Sequence, residues 1–476
     1  MLPSAIEDAS APLLTCPSAV FAVYLQHNGI DFQRRMFSIM GHVVGKDIYR
    51  RLGVKIDNLT FRTPWNETFP ALLKELFEPE EANLVVRMPA TLTTFNRLRC
   101  VTGYDEVPLR NLLESLCSKG LVMDLWLLDS YHYMPSPMVV GIFELTMMRT
   151  APDQDWKKLS TLFHDYMIEQ RDFLAANCAH GEKFSLLRTM PHEGVIHQQD
   201  YVEILDYEKA SAIIEEQTMF AIGTCSCRHM TTHTGAKTCG IPLDTCSSFG
   251  TAAEFLSRRG FARKVSRSEM KDNVTRSKEL GLVLNIDNVQ RNPAFLCHCC
   301  SDCCHLLVGM KKWGYNNVVI TSSFLPETDK GLCSGCGLCA RACPINARTM
   351  VRDDDSGSRR KKKPVTDTMI CLGCGVCALK CKSKALALVR KKKRIITPET
   401  TFERIMLQCL EKGTLQNQLF DNPQRITHKF MRDFLGGFLR LSPVRRALIS
   451  DAFRSTFLSA MKKGAAALGR GWMAEI

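Results

Sequence analysis

The sequence predicts an α+β protein with several domains, and three observations support this fold class. The chain has 476 residues, enough for two to four domains. Segments with the apolar spacing of helices alternate with short apolar runs typical of strands. Cysteines crowd into two regions, which separates a middle part from a later part. We therefore expect domains at residues 1–150, 151–325, 326–395 and 396–476.

The composition is that of a soluble globular protein, with 45% hydrophobic and 23% charged residues and a formal net charge of +13. Most of the 22 cysteines lie in ligand-like runs of a large chain, which favours metal binding in a reducing compartment. Acidic Glu7 and Asp8 stand where a leader peptide would be basic. No apolar run is long enough to span a bilayer. We expect a cytoplasmic protein.

The first domain has the element order of a winged helix. Helical segments begin near Pro70, Pro79 and Thr94, and the last ends before a glycine. A helix over residues 107–119 then leads to a strand over 121–128 and a strand that returns beside it. We therefore predict a winged-helix-like domain at the start of the chain.

This predicted domain invites a DNA-binding interpretation, which needs cations aimed at phosphates. The helix over 107–119 offers Arg110 and Lys119, and Glu106 and Glu114 oppose them. A docking or structural module is therefore the better interpretation, and we do not expect a nucleic-acid partner. A redox-responsive DNA-binding regulator is kept as an alternative function.

The middle domain contains a dense group of cysteines, nine within 80 positions. Ordinary packing does not require such density. Iron–sulfur ligation is the preferred interpretation, and the alternatives are zinc or mixed ligation and redox disulfides. The candidate metal ligands are Cys225, Cys227, Cys239, Cys246, Cys297, Cys299, Cys300, Cys303 and Cys304.

Other residues in the middle domain are candidates for a role beside these cysteines. Arg228 either bonds to cluster sulfurs or an anionic substrate, or forms a surface ion pair. The histidines near the cysteines are expected to be mostly ordinary neighbours or surface groups rather than ligands; they are His229, His233, His298 and His305. Cysteines that occur singly are expected in the core; they are Cys16, Cys100, Cys117, Cys178 and Cys409.

The third domain contains one cysteine pattern twice, with the spacing C-x2-C-x2-C-x3-C. Each cysteine of the second copy follows its counterpart by 38 positions. Three thiolates spaced in this way on one loop can hold three irons of one cluster, whereas zinc sites use separated pairs. The cofactor-binding candidates are Cys333, Cys336, Cys339, Cys343, Cys371, Cys374, Cys377 and Cys381.

This segment resembles the bacterial-type dicluster ferredoxin domain. The resemblance implies two [4Fe–4S] clusters, each held by three cysteines of one quartet and the last cysteine of the other. One set is then Cys333, Cys336, Cys339 and Cys381, and the other is Cys371, Cys374, Cys377 and Cys343. The chain departs from the family pattern at Lys382, where the first copy has Pro344. An insertion over 353–363 is expected to be a surface loop.

The fourth domain is predicted to be helical. A helix over 402–412 precedes two amphipathic helices. Their apolar positions are Phe430, Phe434 and Phe438 in the first, and Leu448, Phe453 and Phe457 in the second. We expect them to cover the body of the protein or a partner, with peripheral membrane contact as an alternative.

The whole arrangement resembles microbial multi-domain ferredoxin-type iron–sulfur proteins with a winged-helix-like start. The resemblance implies single-electron transfer, as a component of a redox complex or oxidoreductase. Basic runs at 359–363 and 390–394 favour an acidic redox protein as partner. The alternative is an enzyme in which a cluster within residues 220–305 reduces a substrate.

Overall fold

The computed structural model describes residues 48–152, 154–179, 181, 186–201, 204–354, 360–392 and 395–475. Helices and antiparallel sheets are mixed along the described chain, which confirms the α+β class. The domain boundaries expected from the sequence stay a prediction, and residues 1–47 of the first domain lie outside the described residues.

The first described part consists of helices followed by a β-hairpin. The predicted helix starts are confirmed, and the hairpin strands pair antiparallel with β1 added at one edge. Gly103 and Gly120 end their helices in the left-handed conformation that glycine adopts most readily. Assignment to the winged-helix class stays a prediction. The elements are α1 (49–57), α2 (Phe69–Leu76), α3 (Pro79–Arg87), β1 (Thr93–Thr94), α4 (Phe95–Thr102), α5 (Glu106–Lys119), β2 (Val122–Leu127) and β3 (Ser130–Pro135).

Helices then lead into the cysteine-rich part. The apolar spacing of residues 156–176 predicts a single helix, but the structure breaks it at Gln170, after a π-helical turn at Asp165–Glu169. Another π-type segment, Met138–Ile142, holds Val140 at φ +51°, an unusual value for a β-branched residue. The α-helices here are α6 (Phe143–Met148), α7 (Trp156–His164), α8 (Asp172–Cys178) and α9 (Gln198–Tyr201).

Among the described residues, one antiparallel sheet with the strand order β4-β8-β9-β6-β5-β7 organises the middle part. Its helices pack apolar faces on the sheet around Phe220, Phe249 and Met270. Ser266 and Glu269 have the spacing that predicts a capping box, and they form this box at the start of α13. The elements are β4 (Leu187–Met190), α10 (Ala210–Glu216), β5 (Phe220–Thr224), α11 (Ser226–His233), β6 (Asp244–Phe249), α12 (Gly250–Arg258), β7 (Ala262–Val265), α13 (Arg267–Leu280), β8 (Val283–Asp287), β9 (Phe295–Cys299) and α14 (His305–Trp313).

The part with the two cysteine quartets has two short antiparallel ribbons and two one-turn helices. β10 pairs with β13, and β11 pairs with β12. The insertion over 353–363 was expected to be only a loop. Instead, Lys362 and Lys363 belong to β12, because they pair with Arg352 and Val351 of β11. The elements are β10 (Phe324–Thr328), α15 (Leu338–Arg341), β11 (Arg348–Arg352), β12 (Lys362–Thr366), α16 (Val376–Leu379) and β13 (Leu386–Arg390).

The last part is helical, as predicted. The second amphipathic helix expected from the sequence is divided in two at Ser450–Phe453, where the chain turns. Phe430, Phe434 and Phe438 are 66%, 67% and 53% exposed, so their stripe covers no described part of the chain. The helices are α17 (Thr401–Lys412), α18 (Leu415–Leu419), α19 (Ile426–Leu439), α20 (Ser442–Ile449) and α21 (Arg454–Ala467).

The single cysteines divide between core and surface. Cys117 and Cys409 are fully buried, as predicted. Cys178 is only partly buried. Cys100 is exposed and forms a disulfide, so its assignment to the core was wrong. Cys16 lies outside the described residues.

A search of the described helices finds none with the length and apolar character needed to cross a bilayer.

Candidate metal centres

Each cysteine quartet of the ferredoxin-like part lies on a loop that runs into a one-turn helix. The third cysteine of each copy belongs to that helix, Cys339 to α15 and Cys377 to α16. The glycines before each helix have positive φ, +74° at Gly337 and +85° at Gly375. Glycine populates this conformation without the steric cost that a Cβ brings. The loop can therefore curl its thiols toward a common point.

Three cysteines of the second quartet and one cysteine of the first share a cavity. It is lined by Cys371, Cys374, Cys377 and Cys343, together with Arg348, Thr366 and apolar residues. These are the four cysteines that the resemblance to dicluster ferredoxins assigns to one cluster. The structure thus brings together thiols that are up to 34 positions apart in the sequence.

The two quartets differ in burial. Cys371, Cys374 and Cys377 are buried, whereas Cys336 is exposed. Burial raises the pKa of the Cys377 thiol to about 12 and also raises that of Cys371. By contrast, the backbone N–H of Leu338 lowers the pKa of Cys336. Buried thiols of this kind ionise when a metal replaces their protons, so their chemistry fits a thiolate-bound cluster.

The second loop is hydrogen-bonded to the middle part. The backbone N–H of His192 donates to the carbonyl of Cys374 at 3.0 Å. The Ser322 hydroxyl donates to the Gly373 carbonyl at 2.8 Å. The Nε2 of His192 lies 2.8 Å from the Leu282 carbonyl oxygen, and Leu282 packs against Cys300. One buried histidine therefore connects the second loop with the cysteines of the middle part.

Five of the middle cysteines lie on, or directly before, four elements of the fold. Cys225 and Cys304 directly precede α11 and α14, Cys246 lies on β6, and Cys297 and Cys299 lie on β9. With other cysteines they line an enclosed, mainly apolar cavity of about 180 Å³. The cavity-lining cysteines are Cys225, Cys227, Cys246, Cys297, Cys299, Cys300 and Cys304.

Within this cavity, Cys225, Cys227, Cys304 and Cys299 form a connected set, here called the cavity quartet. Cys227 lies beside both Cys225 and Cys304, and Cys304 also lies beside Cys299. Hydrogen bonding by Cys227 lowers the pKa of Cys225 to about 7. Cys304 also accepts hydrogen bonds from backbone N–H groups at the start of α14, which favour a thiolate. N–H donors to sulfur are a means by which proteins tune iron–sulfur clusters.

Arg228 supplies a positive charge beside these thiols. Its side chain is completely buried and donates to the Pro242 carbonyl and the Thr245 hydroxyl, both at 2.6 Å. It also lies beside Cys300. No carboxylate of a described residue lies within ion-pair distance of it. A buried cation needs a counter-charge, and the neighbouring cysteines are the candidates to supply it as thiolates. The alternative of a surface ion pair was wrong.

The histidines near the cysteines have different surroundings. Both ring nitrogens of His298 face serine hydroxyls, Ser247 at 2.8 Å and Ser277 at 2.7 Å. His229 and His233 contact each other, and Trp156 packs against both. His305 is different, because it lines the cavity and neither of its buried ring nitrogens has a hydrogen-bond partner among the described residues. No sequence pattern distinguishes His305 from the other three histidines.

The remaining cysteines form two smaller groups. Cys239, Cys300 and Cys303 lie together, with all three sulfurs within 4.8 Å of one another. Cys246 and Cys297 hydrogen-bond each other across neighbouring strands, next to the paired residues Ser247 and Leu296. The structure therefore divides the predicted ligands into sets that their order in the sequence does not reveal.

Comparison with known proteins gives one match. Residues 332–385 match the family model of the 4Fe-4S dicluster domain. No curated protein and no solved structure matches the chain. This segment is therefore an iron–sulfur domain of the ferredoxin type, whereas the rest of the chain has no family assigned by these comparisons.

Proposed function

We propose that this protein transfers electrons between a partner protein and a metal centre in its own cysteine-lined cavity, through the ferredoxin-type domain. A bound [4Fe–4S] cluster takes up and releases single electrons. The residues proposed to hold two such clusters are the eight cysteines of the repeated pattern. The cavity quartet is proposed to hold a third iron–sulfur centre.

The unequal burial of the two quartets is the observation that carries this proposal. The loop of Cys336 is exposed, which suits electron exchange with a separate protein. Two exposed cations lie near this loop. Arg341 is on α15, which follows the loop, and Lys362 is on β12, whose backbone lies against Gly335. Such a surface favours an acidic redox partner through charge complementarity. The first loop is therefore the proposed external contact.

The second loop has the contacts expected for an internal route. Cys374 and Gly373 accept hydrogen bonds from the middle part, and His192 links this loop to Leu282. The next residue, Val283, pairs with Cys299 of the cavity quartet on the neighbouring strand. Hydrogen bonds and strand pairing therefore connect the second loop with the cavity quartet.

The surroundings of the cavity quartet support metal binding there. Arg228 balances the charge of thiolates, and the first turns of α11 and α14 direct N–H groups at Cys225 and Cys304. Apolar neighbours such as Phe143 and Phe255 exclude water. Desolvation of this kind strengthens the interactions between these charged groups and favours a preorganised centre.

The iron content tests this proposal. Anaerobically purified protein should contain about 12 irons per chain, four for each centre. Cys304→Ser should lower this content to about eight while the absorption of the ferredoxin-type domain persists. About eight irons in the unchanged protein, with no loss in the variant, would contradict a third centre.

A second candidate function is substrate reduction in the cavity, and His305 favours it. Burial lowers the pKa of His305 to about 4, and a neutral imidazole without a hydrogen-bond partner among the described residues is suited to contact a bound molecule. The test adds small oxidants to the reduced protein. Reoxidation that follows saturation kinetics and slows in His305→Phe would support an enzyme, whereas equal rates in both proteins would argue for electron transfer alone.

The regulator hypothesis receives less support. On α5, Arg110 pairs with Glu106 at 2.8 Å, and Lys119 pairs with buried Glu81 at 2.8 Å. These cations are already neutralised, so this helix offers little to a phosphate backbone.

A further inference from the structure

The group of Cys239, Cys300 and Cys303, here called the cysteine trio, has a geometry of its own. The sulfur of Cys239 lies 3.9 Å from that of Cys300 and 3.6 Å from that of Cys303. Within the described parts of the chain, this is the one set of potential ligand atoms from His, Cys, Asp or Glu that is so closely grouped. Cys239 and Cys303 do not line the cavity of the cavity quartet.

These separations match those around one tetrahedral ion. Metal–sulfur bonds of about 2.3 Å place neighbouring sulfurs of a tetrahedron about 3.8 Å apart. In a cubane cluster, by contrast, each ligand sulfur binds a different iron, so the sulfurs lie on separate corners and farther apart. We infer that the cysteine trio binds a single Zn²⁺ ion, distinct from the iron–sulfur centres.

Neighbouring groups orient the trio as they do in zinc sites. The Arg228 guanidinium lies beside Cys300, and Thr231 lies beside Cys303. Lys237 donates to the carbonyl of Cys239. Partners of this kind fix ligand orientation and offset the negative charge that three thiolates bring to a divalent ion. The site is therefore supported from three sides.

The fourth position of the tetrahedron has no protein ligand among the described residues, since no further histidine, cysteine or carboxylate joins the group. Cys239 is only partly buried, and Lys237, which donates to its carbonyl, also lines an open surface cleft. Zinc with three protein ligands binds water or an external molecule in its fourth position. The partial exposure of Cys239 gives such a molecule a way to the ion.

Metal analysis of three proteins tests this inference, which goes beyond the proposed electron path. The unchanged protein should contain about one zinc per chain. Cys239→Ser should lose most of that zinc and keep its iron and acid-labile sulfide. Cys178→Ser, a partly buried cysteine outside every group, is the matched control and should keep both metals. A protein without zinc, or an iron loss in Cys239→Ser, would overturn the inference.

Cobalt substitution gives a second readout that needs no ligand variant. Protein produced with Co²⁺ should show the intense visible bands of a tetrahedral thiolate site, and added cyanide should shift them through the open position. Octahedral cobalt bands would count against the site. These measurements stay decisive even if the iron content is below 12.

Discussion

The loop around Cys336 meets solvent, whereas the loop around Cys374 is enclosed by residues of the middle part. Both loops have the same cysteine spacing and the same positive-φ glycines. Their difference comes from what lies against them, β12 beside the first loop and Ser322, Phe324 and Val195 beside the second. One repeated motif therefore yields an exposed and a buried cysteine loop. The surroundings of the loops, rather than their cysteines, make the difference on which the proposed roles rest.

The largest expected effect comes from Cys374→Ser. The variant should lose about four irons and about 3 kcal/mol or more of unfolding free energy, because a lost ligand releases the metal and leaves a hydroxyl buried. Cys336→Ser should also impair one cluster but cost less stability, since its site is exposed. Iron content and denaturant unfolding measure both. Equal stability losses in the two variants would contradict the expected difference between the buried and the exposed loop.

The matched glycines give the next effect. In Gly375→Ala the new Cβ would lie 2.9 Å from Val195 Cγ2 and 3.0 Å from Leu388 Cδ1. In Gly337→Ala the nearest atoms are at 3.4 and 3.5 Å. Both variants carry the cost of left-handed backbone, about 1–2 kcal/mol. Crowding should add about 1–3 kcal/mol to Gly375→Ala alone. Thermal unfolding of the pair measures this difference, and equal midpoints would contradict it.

A smaller effect is expected from charge at the first loop. Replacing Lys361 and Lys362 by Glu should slow reduction by an acidic redox protein about 10-fold at low ionic strength, because the attraction that guides the encounter is reversed. Lys429→Glu, an exposed cation on α19, should leave the rate unchanged. Stopped-flow reduction at two salt concentrations measures this. An equal decrease in both variants would place the external contact elsewhere.

The smallest effect on metal binding and electron transfer is expected from Cys409→Ser. Cys409 is fully buried in the C-terminal helical core, away from every candidate ligand set. The variant should keep its iron and zinc and lose only about 1–3 kcal/mol of stability from burying a hydroxyl. Iron loss in this variant would mean that a distant thiol is recruited as a ligand.

Local signals explain what the sequence predicted well. Each of these signals is confined to a few neighbouring positions. Examples are the capping box at Ser266, the glycine after Lys412 and the cysteine spacing within each quartet. The division of the middle cysteines depends instead on strand pairing across the sheet. Cys225 and Cys304 are 79 positions apart, and no local pattern joins them. The burial of Arg228 and the free ring nitrogens of His305 likewise follow from tertiary packing.

The bonds from His192 and Ser322 to the second loop have a consequence for kinetics. A separate ferredoxin must find its acceptor by diffusion in every cycle, but in the proposed path carrier and acceptor belong to one chain, whose second loop is hydrogen-bonded to the middle part. The internal step is then first order, so its rate should not change on dilution. Since no charged surfaces have to meet, added salt should leave it unaffected as well, and slow only the delivery of electrons from outside.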